Sequence, residues 1–157
     1  MKITLLTIGK TDKGFLKTGI EQYVMRLKHY VPFEVKELSG IKKTAGMSPE
    51  LVKQKEAELL ARHIEKADCL VLLDERGTEF TSVGFSTFLQ KRMNSGVREM
   101  VFVVGGAFGF TDSLRLKAHF KISLSQMTFS HQMVRLFFAE QLYRAFTILK
   151  GESYHNE

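Results

Sequence analysis

Two uninterrupted apolar runs constrain the fold of this chain more than any other feature. CLVLL begins at Cys69 and MVFVV begins at Met100, and each run has the length of one β-strand. A strand without polar residues has to be covered on both faces, which is typical of a parallel sheet flanked by helices. Apolar residues at helical spacing over Ser82–Met93 lie between the two runs and predict one of the covering helices. The chain is therefore predicted to have an α/β fold.

The remaining segments continue this alternation of strand and helix. Strands are predicted at Lys2–Gly9, Phe33–Leu38 and Phe120–Leu124, and helices after Phe15, from Ser48 to about Ala67, from Thr111 and over His131–Lys150. The polar stretch Ser39–Met47 is predicted to be a loop. No repeat or linker divides the 157 residues, so we expect a single domain over residues 1–157.

Composition narrows the classes of function. The net charge of +6 favours an anionic partner such as nucleic acid, although charge alone is weak evidence. The one cysteine, Cys69, leaves no intramolecular disulfide to form, and the five histidines are scattered, so we expect no metal site. No stretch of about 18 apolar residues and no secretory signal pattern occurs, so we expect a soluble cytoplasmic protein without membrane contact.

A glycine-rich turn follows the second apolar run. Gly105, Gly106 and Gly109 come directly after Val103 and Val104, ahead of a predicted helix. In an open α/β sheet, ligands bind at the carboxyl ends of strands, and glycine lets the backbone approach them closely. The turn matches neither a dinucleotide fingerprint nor a phosphate-binding loop. A tight turn without a ligand is the alternative interpretation.

A second strand-to-helix junction spans Ser123–His131. Its hydroxyl and backbone groups are suited to hydrogen-bond an adenine edge, while Leu124, Met127 and Phe129 enclose the ring. The alternative is a simple capping loop in which Ser130 caps the following helix, and that capping is expected whatever the function.

The helix predicted over His131–Lys150 is apolar around much of its circumference, which indicates burial in a core or an interface. In a domain this small we expect it to serve a homodimer interface as well. His131 and Arg135 share one face, and Glu140 and Arg144 share another, so the two pairs need not serve one pocket. For Glu140 and Arg144, a helix-stabilising ion pair is the alternative to a functional role.

At these residues the sequence resembles a known family, the ribosomal large-subunit pseudouridine methyltransferase H proteins of the SPOUT superfamily. The resemblance covers the whole chain. It rests on the opening KITLLTIGK, the turn at Gly105–Gly109, the block SQMTFSHQMVRLFFAEQLYRA from Ser125, and the tail GESYH at Gly151–His155. One departure is Ser130, where the family more often has proline.

The resemblance implies a parallel sheet flanked by helices with a C-terminal trefoil knot, and S-adenosylmethionine bound by the knot loops at a homodimer interface. By motif, the implied cofactor contacts are Leu73, Gly105, Leu124, Ser125, Gln126, Met127, Thr128 and Phe129. The implied reaction is methylation of N3 of a pseudouridine in 23S ribosomal RNA on the assembled ribosome. A non-catalytic ribosome-associated protein that binds RNA or nucleotide is the main alternative.

Methyl transfer from a sulfonium needs no metal, but N3 must lose its proton, and a nearby cation favours the resulting anion. The candidates for this catalytic work are His131, Arg135, Arg144, Tyr154 and His155. The identity of the base stays open among them. His155 lies in a polar tail that can reach across a dimer, and a frayed terminus is its alternative interpretation.

Overall fold

The computed structural model describes residues 1–156. Within them, strands and helices alternate along the chain, as predicted. The elements are β1 (Lys2–Ile8), α1 (Phe15–Leu27), β2 (Phe33–Leu38), α2 (Pro49–Ile64), β3 (Cys69–Glu79), α3 (Ser82–Asn94), β4 (Glu99–Val104), α4 (Asp112–Lys117), β5 (Phe120–Ser123) and α5 (His131–Leu149).

The strands form one parallel sheet in the order β2-β1-β4-β3-β5. Residues Met100 to Val104 of β4 are all buried, so this central strand is covered on both faces, as its apolar sequence predicted. Because every strand runs the same way, the loops that follow β1 to β5 all leave from one edge of the sheet.

Strand β3 is longer than its apolar run predicted. It continues past Asp74 to Glu79, and its pairing with β5 is interrupted between Leu73 and Thr78, since both of these residues align with Ile122. The extension is polar and mostly exposed, it pairs with the edge strand β5, and apolar periodicity cannot reveal a strand of that kind. At Gly77 the two backbones pass so closely that a Cβ atom would lie 2.5 Å from the amide nitrogen of Ile122.

Helices cover both faces of the sheet with separate apolar clusters. One cluster joins residues of α1, α3 and α5 to the sheet, and the other joins residues of α2 and α4 to it. Phe138 of α5 is fully buried in the first cluster, with its ring centroid 4.6 Å from that of Phe102. Much of the apolar surface of α5 is therefore buried within its own subunit, and Phe138 belongs to the core.

The helix termini follow their capping residues. Ser130 accepts a hydrogen bond from the amide of Met133 at 3.2 Å, which confirms its predicted role as N-cap of α5. Helix α5 ends at Leu149, where Gly151 has a φ of 69° and its amide donates to the carbonyl oxygen of Ile148. Helix α2 ends at Ile64, three residues before the predicted end at Ala67, and a turn follows it.

Candidate functional site

A cavity of about 650 Å³ lies at the carboxyl ends of β3, β4 and β5. Its lining includes the end of β3 at Leu73, the glycine turn Gly105–Gly109, the loop after Ser123, and the first turn of α5 at His131 and Val134. Three strands that are separated along the chain deliver these loops to one place because β3 lies between β4 and β5. This is the edge at which parallel sheets bind ligands.

The cavity brings together seven of the eight residues that the sequence predicted for cofactor binding. These seven are Leu73, Gly105, Leu124, Ser125, Met127, Thr128 and Phe129. Gln126 is absent from the lining, and its side-chain amide lies 3.4 Å from a carboxylate oxygen of Glu79. The arrangement matches the prediction in geometry, and cofactor binding by these residues stays a prediction.

Internal hydrogen bonds hold the loop between β5 and α5. The Ser123 hydroxyl donates to the carbonyl oxygen of Ser125 at 2.8 Å, and the Ser125 hydroxyl accepts from the amide of Met127 at 2.9 Å. These bonds leave the Met127 side chain 74% exposed at the cavity. The loop therefore has a defined shape that presents both hydroxyl and apolar groups.

Neighbouring side chains leave little room for a Cβ atom at the first two glycines of the turn. A Cβ atom on Gly105 would lie 3.2 Å from two ring carbons of Phe110, and one on Gly106 would collide with the carboxylate of Glu56. Only Gly109 adopts a left-handed φ, at 73°. The turn lies after β4 as the sequence predicted, the contacts with Phe110 and Glu56 could not be foreseen, and a ligand contact at these glycines stays a prediction.

An ion pair that sequence reasoning missed forms part of the cavity wall. Arg115 Nε donates to Asp74 Oδ2 at 2.6 Å, and the Asp74 side chain is almost fully buried. The hydrogen bond to Asp74 raises the pKa of Arg115, so the guanidinium stays charged. Asp74 directly follows the apolar run of β3, so its position at the end of a buried strand was the available signal.

His131 and Arg135 occupy different places, although they share a helix face. His131 lines the cavity. Arg135 is completely buried, and its guanidinium donates to the carbonyl oxygens of Ile8 and Gly9 and to the Thr11 hydroxyl. Burial lowers the pKa of Arg135. The geometry gives Arg135 a role in joining α5 to the end of β1, and a part in catalysis stays a prediction.

The other predicted residues form a second cluster further along α5. Arg144 donates from both Nε and Nη2 to Glu140 Oε1, at 3.0 and 2.6 Å, so the ion pair expected there is present. The Tyr154 hydroxyl donates to the same oxygen at 3.1 Å, and Arg144 Nη1 lies 3.3 Å from His155 Nδ1. None of these residues lines the cavity within the subunit.

The tail is packed rather than frayed. The Tyr154 ring stands edge-on to Tyr143 at 4.8 Å between centroids, and the Tyr30 hydroxyl donates to the Glu152 carboxylate at 2.6 Å. Burial, a hydrogen bond with Tyr23 and the Glu140 charge raise the pKa of Tyr154, so this hydroxyl keeps its proton. The frayed-terminus alternative is therefore wrong for Tyr154 and His155, which are both partly buried.

Residues 1–156 hold neither a metal-binding cluster nor a membrane-spanning helix. No three or more His, Cys, Asp or Glu side chains gather there in an arrangement that would hold a metal ion. Each helix in that range is too short or too polar to cross a membrane.

Comparison with known proteins places this geometry in a family. A family model described as "Predicted SPOUT methyltransferase" matches residues 1–155. The chain belongs to the SPOUT methyltransferases. Within that family, it is 54% identical over 157 residues to the ribosomal RNA large subunit methyltransferase H of Flavobacterium psychrophilum and 52% identical over 157 residues to that of Parabacteroides distasonis. Each alignment covers 100% of both chains, which confirms the resemblance that the motifs indicated.

Solved structures agree with a SPOUT methyltransferase at the level of the fold. "Probable Methyltransferase from Bordetella pertussis Tohama I" superposes with a TM-score of 0.58 at 9% identity, covering 92% of this chain and 96% of that one. A structure from Haemophilus influenzae, described as "a probable methylase family protein", gives a TM-score of 0.56 at 12% identity, covering 99% and 70%. At such low identity these likenesses establish the α/β fold alone.

Proposed function

We propose that this methyltransferase transfers a methyl group from S-adenosylmethionine to N3 of a pseudouridine in 23S ribosomal RNA on the assembled ribosome. The observation that carries the proposal is the cavity, in which seven residues with the implied cofactor role converge from separate loops. The name of the full-length relatives, ribosomal RNA large subunit methyltransferase H, supports the class of substrate. The net charge of +6 is favourable for a ribosomal target.

The residues of the cavity suit an adenosine cofactor. A volume of about 650 Å³ lies within the range of small-molecule pockets, roughly 300 to 1,000 Å³. Leu73, Leu124 and Val134 offer apolar surface for an adenine ring, while Ser125 and Thr128 offer hydroxyl groups. Backbone groups of the loop and the glycine turn are available for the ring edge and the ribose.

In this reaction the residues of the chain position the methyl donor and the acceptor and accept the proton that N3 loses. When bound, S-adenosylmethionine supplies a methyl group on a sulfonium sulfur, an electrophile that needs no metal. The preformed loop Ser123–Ser130 would hold donor and acceptor in register, and such positioning can lower a barrier by up to about 11 kcal/mol. His131 lines the cavity and is the residue best placed in this subunit to accept the N3 proton.

We infer further that a second copy of the chain completes the site. Phe129 at the cavity and Phe137 beside it have ring centroids 4.7 Å apart and stay 36% and 37% exposed, so they offer a second copy an apolar surface next to the cavity. In such a homodimer the cluster of Arg144, Tyr154 and His155 would approach the partner's cavity and contact the RNA. The trefoil knot implied by the family is part of the same proposal, supported by loops from β3, β4 and β5 that meet at the cavity.

Incubation of purified ribosomes with the protein and methyl-labelled S-adenosylmethionine tests this function. Mass spectrometry of the digested 23S RNA is expected to find one methylated pseudouridine, and ribosomes that lack pseudouridine at the target should accept far less label. A protein that binds ribosomes and transfers no methyl group would instead be the non-catalytic binding protein.

A further inference from the structure

Helix α2 carries a carboxylate in the middle of its buried face. Val52, Glu56 and Leu60 follow one another at one-turn spacing, and all three are buried, Glu56 with only 8% of its surface exposed. Removing a carboxylate from water is costly unless it is paired and hydrogen-bonded. A buried acid between two apolar residues therefore needs an explanation beyond packing.

Glu56 lies against the glycine turn of the cavity. The amide of Gly106 donates to its carboxylate, and the two residues are so close that a Cβ atom on Gly106 would collide with Glu56 Oε1. Gly106 is itself part of the cavity lining, as is Lys53, which precedes Glu56 by three residues on α2. Oε2 of Glu56 has no hydrogen-bond partner within residues 1–156. The hydrogen bond that the Glu56 carboxylate accepts therefore comes from the wall of the cavity.

Holding this carboxylate in place has an energetic cost. Burial raises the pKa of Glu56, and the Gly106 amide lowers it by a smaller amount. A group whose pKa is higher in the folded state disfavours folding once it is ionised, so the cost is absent below the unfolded pKa and complete above the folded pKa. Groups that reduce stability in this way are common at functional sites.

We propose that Glu56 is a positioning residue for the cofactor, whose carboxylate holds the turn at Gly105–Ala107 in its binding shape through the amide of Gly106. The inference rests on the proposed function for the identity of the cofactor. Glu56 does not line the cavity, so its effect is exerted through the turn and not through contact with the ligand.

Three variants separate positioning from packing. Glu56→Ala removes the acceptor, and its dissociation constant for S-adenosylmethionine, measured by calorimetry, is expected to rise at least tenfold. Glu56→Gln retains an oxygen for the Gly106 amide, so its affinity should stay within about threefold of the parent, and its melting temperature at pH 8 should be higher. Leu60→Ala, one turn away on the same face, should lower the melting temperature and leave the affinity unchanged. A Glu56→Ala variant that binds within twofold of the parent overturns the proposal.

A measurement without cofactor tests the contact independently. In ¹⁵N–¹H spectra, the Gly106 amide should shift in one step as Glu56 titrates above its ordinary pKa, and the step should vanish in Glu56→Gln. A Gly106 amide that ignores this titration overturns the inference, whatever the cofactor does. If instead the parent protein fails to bind S-adenosylmethionine while the step is present, the proposed function fails and the contact between Glu56 and the turn stands.

Discussion

Arg135 joins α5 to the end of β1 from a fully buried position outside the cavity lining. Its guanidinium donates to three backbone carbonyl oxygens, two at the carboxyl end of β1 and that of His131, and to the Thr11 hydroxyl. Gln132 completes the junction, since its side chain accepts from the amide of Asp12 and donates to the carbonyl oxygen of Lys10. The first turn of α5, which carries His131, is thereby fixed against the sheet.

Arg135→Lys tests this structural role. A lysine has one nitrogen in place of the planar fork, so at least one buried carbonyl oxygen loses its donor, at a cost of about 1 to 3 kcal/mol. The free energy of unfolding in urea should fall by that amount, with a parallel fall in methylation. If the variant keeps the parental stability and loses only methylation, Arg135 acts on the reaction directly.

Thr128→Trp tests whether the cavity binds the cofactor, at an exposed position that does not contribute to the core. Thr128 is exposed and lines the cavity, so an indole there should occupy ligand space with little effect on the fold. We expect the dissociation constant for S-adenosylmethionine to rise at least tenfold by calorimetry. Thr44→Trp, an exposed loop position outside the cavity lining, is the matched control and should bind normally.

At the scale of elements, hydrophobic periodicity predicted the buried apolar strands and helix faces, and it missed the charged residues that are buried among them. The runs at Cys69 and Met100 became β3 and β4, and the alternation of elements gave the parallel sheet. The same patterns could not foresee Glu56 or Arg135, because each is a charged residue within the buried face of a helix. The strand order was equally hidden, since it depends on pairing between distant segments.

The tail after α5 is packed against the subunit, which its sequence alone does not reveal. Its turn at Gly151 was predictable, but the packing of Tyr154 against Tyr143 depends on tertiary contacts. Deletion of Ser153–Glu157 should lower the free energy of unfolding by roughly 1 to 3 kcal/mol, because the Tyr154 ring is no longer buried. Calorimetric affinity for S-adenosylmethionine should not change, since the tail lies outside the subunit's own cavity.

The same truncation is expected to reduce methylation of ribosomes at least tenfold. Tyr30→Phe is the control, because it removes the hydroxyl that donates to Glu152, keeps Tyr154 and His155, and should leave the rate nearly intact. Parental methylation by the truncated protein would show that Tyr154 and His155 have no part in the reaction, and would leave His131, Arg135 and Arg144 as the candidates.

At the scale of the molecule, the exposed pair Phe129 and Phe137 makes the expected dimer testable. Phe137→Glu places a charge on the exposed apolar surface and should yield a monomer by light scattering at micromolar concentration, with the helical circular dichroism retained. Phe138→Glu is not a substitute, because it would bury a charge in the core and unfold the subunit. A parent protein that is already monomeric contradicts the dimer.

Exposed lysines lie in the two loops that follow β1 and β2, near the cavity edge of the sheet. The loops after β1 and β2 leave the sheet at the same edge as the cavity loops, and they meet, since a Cβ atom on Gly40 would lie 3.8 Å from the Cα atom of Gly9. These two loops carry four exposed lysines that form no ion pair within residues 1–156: Lys10, Lys13, Lys42 and Lys43.

Phosphates of the ribosomal RNA are expected to contact these lysines, because the loops lie beside the proposed site of methyl transfer. Lys42→Gln with Lys43→Gln should raise the KM for ribosomes and leave kcat and cofactor affinity unchanged. Binding releases fewer counterions when a phosphate contact is lost, so the slope of log affinity against log salt should flatten by roughly 0.7 to 0.9 per lysine.

The control is Lys66→Gln with Lys117→Gln, which makes the same change in net charge. These two lysines lie ahead of β3 and β5, at the opposite edge of the sheet, so KM and the salt slope should stay near parental values. Equal effects from both pairs would mean that net charge alone attracts the ribosome, and that this edge of the sheet does not orient it.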